Sequence, residues 1–321
     1  VPAQPRRFSF TQPKMGSPVT IVFYLNDSSL ATDLAKRSFY LVDSLVLIFS
    51  DYVDSSELSK LSASAGAGSS PVTLSPALLE ILGLSQTAYE KSGGAFDITV
   101  GPLVKLWRNA RKLQEFPADE AVQKLRKLVG SKYIILDTLK RTAQLTKAGM
   151  QLDLGGIAQG YIAQKVKDFL AGQHVKQVLV NVSGDVVTGE APPGTTGWTI
   201  GINVPEEADE LLPNNLLLTN RAVTTSGDAF QFMENGGKRY SHIIDPRSGF
   251  GVTYQRNVTV IARDGTTADW LATACSILSI KKAKKLAARN DAELLITEIK
   301  KGKVVYHATR GFRQYWKQIK Q

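Results

Sequence analysis

The chain has 321 residues, 43% of them hydrophobic and 21% charged, with a formal net charge of +10. That balance supplies a sizeable core and excludes a disordered or collagenous chain, and the single cysteine, Cys275, excludes an intrachain disulfide. No apolar run approaches the roughly 18 residues of a membrane span; the best, 21–25 and 45–49, are short. The charge is local, with twelve Lys and Arg in residues 281–321 against three acids (Asp291, Glu293, Glu298). Neither interleaved exposed aromatics nor a reading motif accompanies it, which argues against nucleic acid. A solvated face on a terminal helix and strand explains this charge; a docking surface for anionic lipid or an acidic partner is the alternative.

Residues 1–13, with three prolines and two arginines, are expected to form an extended arm, followed by one domain over 14–321. Residues 19–25 (VTIVFYL) predict a strand after a turn at 14–18. Helical spacing over 30–49 puts Leu34, Leu41, Leu45 and Ile48 on one stripe. Residues 62–70 are small and polar, a loop. Ser75-Pro76 reads as an N-cap with a first-turn proline, and Gly93-Gly94 ends that helix. Further helices are predicted over 118–129, 160–170 and 267–290. Residues 133–154 alternate like paired strands, and strands are expected over 175–188, 197–204, 258–262, 294–299 and 304–307. Strands joined by short turns, with helices in separate blocks, predict an α+β fold with a mixed, largely antiparallel sheet.

Four segments carry candidate chemistry. The first is LDLGGIAQG (152–160), where glycines between a strand and a helix let backbone approach a ligand and helix-start amides favour phosphate. A tight strand-to-helix turn explains the same residues. The second is GGAFDITVGPL (93–103): Asp97 is either an Asx-turn residue or an acceptor for the donors of a heterocycle or ribose, with Phe96 as an apolar wall. The third joins TTSGD (224–228) to HIIDPRSG (242–249). Of the three histidines only His242 stands among Ser, Asp and Arg, although lone histidines are more often structural. No Cys/His cluster suggests zinc, and no G-x-S-x-G elbow suggests a serine hydrolase. The fourth is TTADWLAT (266–273), where Asp269 and Thr273 share one helix face and suit a hard cation such as Mg2+. The competing explanation is a capping box, Thr266 at the N-cap with Asp269 three residues on.

Taken in order, Met15-Gly16, Ser50-Asp51-Tyr52, GGAFDITVGPLVKLW, LDLGGIAQG, NVSGD, TTSGD, HIIDPRSG and ADWLAT resemble the ApbE family of FAD:protein FMN transferases over nearly the whole chain. The resemblance implies transfer of the FMN half of FAD to a Ser or Thr hydroxyl of a target protein, with release of AMP. It implies an FAD site at Met15, Tyr52, Ala95, Phe96, Asp97, Asp153, Gln159 and Ile244. It further implies Mg2+ held by the Gly156 carbonyl, Asp269 and Thr273, with His242 as proton acceptor. The implied target is a protein such as a subunit of a membrane redox complex. The implied location is periplasmic or anchored outside the cytoplasmic membrane. Two positions depart from the family pattern: Gln159 stands where many members have Lys and others Glu, and Ala272 where some have Asp. They keep a non-catalytic FAD-binding protein open as an alternative, and an FAD pyrophosphatase giving FMN and AMP is another, because the same metal site would serve it.

Overall fold

The computed structural model describes residues 4–204, 207–227 and 231–317. One eight-stranded sheet runs in the order Arg6–Lys14, Ser17–Leu25, Val178–Val182, Asp185–Thr188, Ala222–Ser226, Arg256–Ala262, Glu293–Lys300 and Lys303–Ala308. Every neighbouring pair is antiparallel. The helices are α1 (Ser28–Phe49), α2 (Glu57–Ala63), α3 (Pro76–Ser92), α4 (Gly101–Leu113), α5 (Asp119–Arg126), α6 (Ala158–Gly172), α7 (Gly265–Ile277) and α8 (Ile280–Arg289). The fold is α+β, as the pattern of elements predicts.

The strand Arg256–Ala262 is buried at every residue because both faces of the sheet are covered. Val258, Val260 and Ala262 join the main core with Val178, Val180 and residues of α1, α3, α6 and α7. Ile261 points the other way, into a second cluster with Val186, Val223, Leu216, Leu218, Leu295 and Phe312. This is the two-residue period of a pleated strand, here apolar on both sides. A third, smaller cluster packs α4 and α5 against the hairpin Phe232–Asn235/Lys238–Ser241, through Leu103, Trp107, Val122, Met233, Ile244 and Tyr240. Among the described residues no helix is long and apolar enough to cross a membrane.

Several local expectations change. From Arg6, the segment expected as an arm is hydrogen-bonded as the edge strand of the sheet, closed by a two-residue turn at Met15-Gly16 with both φ positive (53° and 74°). Glycine at 16 relieves half of that requirement. On α1, Leu34 and Leu45 are buried with Ala31, Phe39, Val42 and Phe49, whereas Leu41 and Ile48 sit at the margin. Met150, Leu152 and Leu154 alternate inward as expected, yet belong to no strand: the Leu152 amide donates to Ser62 Oγ (3.1 Å) and the Asp153 amide to the Ile98 carbonyl (2.8 Å). Gly101-Pro102 starts α4, a helix absent from the expected elements. The helix expected over 267–290 is two, broken at Leu278-Ser279, and the Arg256 guanidinium donates to the Cys275 and Ser276 carbonyls at the end of the first.

Candidate active site

The site opens where α6 and α7 cross at two glycines. A Cβ on Gly160 would stand 2.2 Å from the Gly265 carbonyl oxygen, and one on Gly265 would stand 2.3 Å from that of Gly160. Only glycine at both positions lets the backbones meet this closely. The Gly160 amide then donates to Asp269 Oδ2 (2.9 Å), fixing a carboxylate that is 5% exposed. Asp269 is therefore not a capping-box residue. The N-cap of α7 is Asp264, which accepts from the Thr267 amide (2.8 Å). Gly156 faces the same place from the preceding turn, since a Cβ there would lie 2.8 Å from Thr273 Oγ1 and 3.3 Å from the Phe96 ring.

Asp185 was quoted within NVSGD but given no role by sequence reasoning. It starts the strand Asp185–Thr188, is 5% exposed, and accepts a hydrogen bond from the Thr224 hydroxyl. Burial pushes Asp185 well above the ordinary carboxylate range, and burial together with the Asp185 charge does the same to Asp269. Two carboxylates thus share a dry site.

The wall formed by α4 and the turn after α1 is cationic. Arg108 pairs with Asp51 (2.8 Å) and more distantly with Asp153 (3.6 Å), and its guanidinium lies 4.0 Å from the centre of the Tyr52 ring. Asp153 Oδ1 also accepts from the Gly155 amide (2.8 Å). Asp97 caps a short 3-10 turn, accepting from the Thr99 amide (2.9 Å) and hydroxyl (2.6 Å). Burial raises its carboxyl, and those bonds offset part of the rise. The Asx-type role is real, and Asp97 lines the cleft as well.

His242 follows the strand Lys238–Ser241. Its amide donates to the Gln231 carbonyl (2.8 Å), and its Nδ1 is buried with no hydrogen-bond partner among the described residues. Burial, and then the Arg111 charge, push the imidazole down to about 4. It is consequently uncharged at pH 7, more completely than the ordinary value near 6.5 implies. The segment is held from below: Trp107 Nε1 donates to the Gly249 carbonyl (2.9 Å), and the Trp107 ring stacks on Tyr240 at 5.9 Å.

All twelve residues singled out in the sequence, Met15, Tyr52, Ala95, Phe96, Asp97, Asp153, Gly156, Gln159, His242, Ile244, Asp269 and Thr273, line one cleft of about 970 Å³. That volume is at the upper end for small-molecule sites and leaves room for a dinucleotide. Asp228 lies outside the described residues. Asp51, Asp185 and Thr224, quoted within motifs but given no role, line the same cleft, as do Arg108 and Arg111, which sequence reasoning missed. For the arginines the available signal was their i, i+3 spacing on a helix that begins at Gly101-Pro102. Among the described residues no three His, Cys, Asp or Glu stand together as a metal cluster. The oxygen donors here are two carboxylates, a hydroxyl and a carbonyl.

Comparison with known proteins defines first a class. The fold superposes on the apo form of the Pseudomonas stutzeri flavinyl transferase ApbE with a TM-score of 0.85 at 27% identity, over 98% of both chains. It superposes on the flavin transferase ApbE of Vibrio cholerae with a TM-score of 0.84 at 25% identity, over 97% of this chain and 99% of that one. In sequence, it is 33% identical to an FAD:protein FMN transferase of Klebsiella pneumoniae (strain 342), over 90% of this chain and 89% of the relative. A further FAD:protein FMN transferase, from Treponema pallidum (strain Nichols), is 32% identical over 77% of this chain and 72% of the relative. The ApbE family model matches residues 15–296. The chain belongs to the ApbE family.

Proposed function

We propose that the protein transfers the FMN half of FAD to a Ser or Thr hydroxyl of a target protein and releases AMP. The observation that carries this reading is the convergence of all twelve anticipated residues on one cleft. The hydroxyl oxygen attacks the flavin-side phosphorus, a phosphoester bond forms, and the anhydride bond to AMP breaks. His242 takes the hydroxyl proton, a role worth about 10²–10⁴-fold in rate. An imidazole pushed down to about 4 is a weak base in the empty cleft. A bound diphosphate is anionic and raises it toward neutrality.

The donor set fits Mg2+. Asp269, Asp185, the Thr273 hydroxyl and the Gly156 carbonyl are all hard oxygen donors, and the two buried carboxylates have no protein cation beside them among the described residues. A bound Mg2+ supplies charge neutralisation to the diphosphate. Ala272 is fully buried in the main core and does not line the cleft, so its lack of a carboxyl removes no donor from this site. This supports the catalytic reading over simple FAD storage. Water in place of the acceptor hydroxyl gives FMN and AMP, the pyrophosphatase reading.

The proposal extends to an acceptor on a membrane redox-complex subunit and to action outside the cytoplasmic membrane, on the family resemblance. Its physical support is α8, which buries Ala283, Leu286 and Ala287 and exposes Lys281, Lys282, Lys285 and Arg289, a face suited to anionic lipid. The deciding experiment incubates the protein with FAD, Mg2+ and a protein carrying an acceptor threonine. A gain of the FMN mass on that threonine, with AMP released in equal amount, is expected. An unchanged target mass refutes the transfer, and FMN released just as fast without a target makes the protein a pyrophosphatase.

A further inference from the structure

We infer that Arg111 binds the diphosphate of the dinucleotide, supplying from α4 the positive charge that Gln159 does not supply from α6; this rests on the flavin-transfer reading above. Arg111 lines the cleft, and its guanidinium makes no ion pair or hydrogen bond among the described residues. Arg108, one turn earlier, is already engaged by Asp51, Asp153 and the Tyr52 ring. Five aspartates line the same cleft (Asp51, Asp97, Asp153, Asp185 and Asp269), yet none of them pairs with Arg111.

A half-buried guanidinium beside a second one is an unfavourable arrangement when it has no counter-charge. Burial, and then the charge of Arg108, weaken its hold on its proton. An anion entering the cleft relieves both effects. Phosphate oxygens match the planar donor fork of arginine, which engages two of them at once. The geometry also separates two kinds of neutralisation. The opposite wall offers the Asp269 and Asp185 carboxylates, which can hold the diphosphate only through a cation. The α4 wall offers a cation directly. Arg111 is also the charge that helps depress His242, so an anion paired with Arg111 frees the imidazole to accept a proton.

The test is a flavin-fluorescence titration of the full chain with FAD and, separately, riboflavin, in EDTA and again in Mg2+ without acceptor. Wild type is compared with Arg111→Gln and Arg111→Lys, all three checked for equal thermal melting. FAD binding is expected to weaken about tenfold or more in Arg111→Gln and to recover in part in Arg111→Lys. Riboflavin, which has no phosphate, is expected to bind all three alike. FAD affinity unchanged in Arg111→Gln overturns the inference. So does an equal loss for FAD and riboflavin, which makes the residue part of the wall. Wild type that binds neither ligand is a different failure, that of the flavin-transfer reading itself.

Discussion

Replacing Gly160 with alanine tests how the site is built. The added Cβ would stand 2.2 Å from the Gly265 carbonyl oxygen and 2.7 Å from Asp269 Cβ. Both are backbone or backbone-proximal atoms, so no side-chain rotation relieves the contact, and the helices must part by roughly 1 Å. Overpacking of this kind costs about 1–3 kcal/mol, and a rigid carbonyl puts it at the upper end. The helix-propensity gain of alanine over glycine returns about 1 kcal/mol. The net expectation is about 2 kcal/mol of destabilisation, or roughly 3 °C in Tm for a chain of this size. Gly172, at the exposed end of the same helix, has nothing within 4 Å of its Cβ position. Alanine there is expected to raise stability by about 0.4–1 kcal/mol. Activity separates the two further. The Gly160 amide holds Asp269, so its displacement is expected to lower the FMN-transfer rate by about 100-fold, while Gly172→Ala transfers normally. Thermal unfolding by circular dichroism and a transfer assay read both quantities. A Gly160→Ala protein that melts at the wild-type temperature and transfers at the wild-type rate refutes the idea that this crossing sets the site.

Asp269→Asn keeps an acceptor for the Gly160 amide but removes one of two buried charges, so its Tm in EDTA is expected to match or exceed wild type. The same variant is expected to lose both activity and any stabilisation by Mg2+, which melting curves with and without the cation measure. His242 is depressed to about 4, so the free protein keeps its proton acceptor down to about pH 5, and kcat/KM loses activity through this group only on approach to pH 4. The same depression means the unfolded chain binds more protons than the native one between about pH 4 and 6.5, so this group lowers stability progressively as pH falls through that window. A His242→Asn protein is expected to show a smaller loss of Tm from pH 6.5 to 4.5 than wild type. Cys275 is fully buried and its thiol is pushed up to about 12, mainly by burial. It is expected to resist a thiol reagent in the native protein and to react after denaturation, as a mass shift reports.

Much of the site was legible because its residues sit in short motifs at chain reversals, where glycine, aspartate and proline have few conformations to choose from. Gly93 is a case: it stands in the left-handed region at the end of α3, where the sequence placed it. What the sequence hid has physical causes. The edge strand Arg6–Lys14 contains Pro13, which reads as irregular, yet an edge strand tolerates proline where no ladder bond is needed. Residues 150–154 alternate because Met150, Leu152 and Leu154 point inward, and periodicity reports burial without reporting pairing. Helix α4 was masked by Gly101-Pro102, which suits either a turn or a first helical turn. With α4 unread, the cationic wall of Arg108 and Arg111 could not be placed. Asp185 needed tertiary information, since it lies 84 residues before Asp269 in the chain and reaches it only through the sheet and its helix layer.

The tryptophan peg at position 107 has a consequence for how such a protein diversifies. Trp107 fastens the His242 segment to α4 through the Gly249 carbonyl, within a cluster separate from the core that carries Asp269. The His242 half of the cleft is therefore mounted on its own bracket. Substitutions along that bracket would shift His242 and the α4 arginines together, while the Asp269 half of the cleft stays where it is.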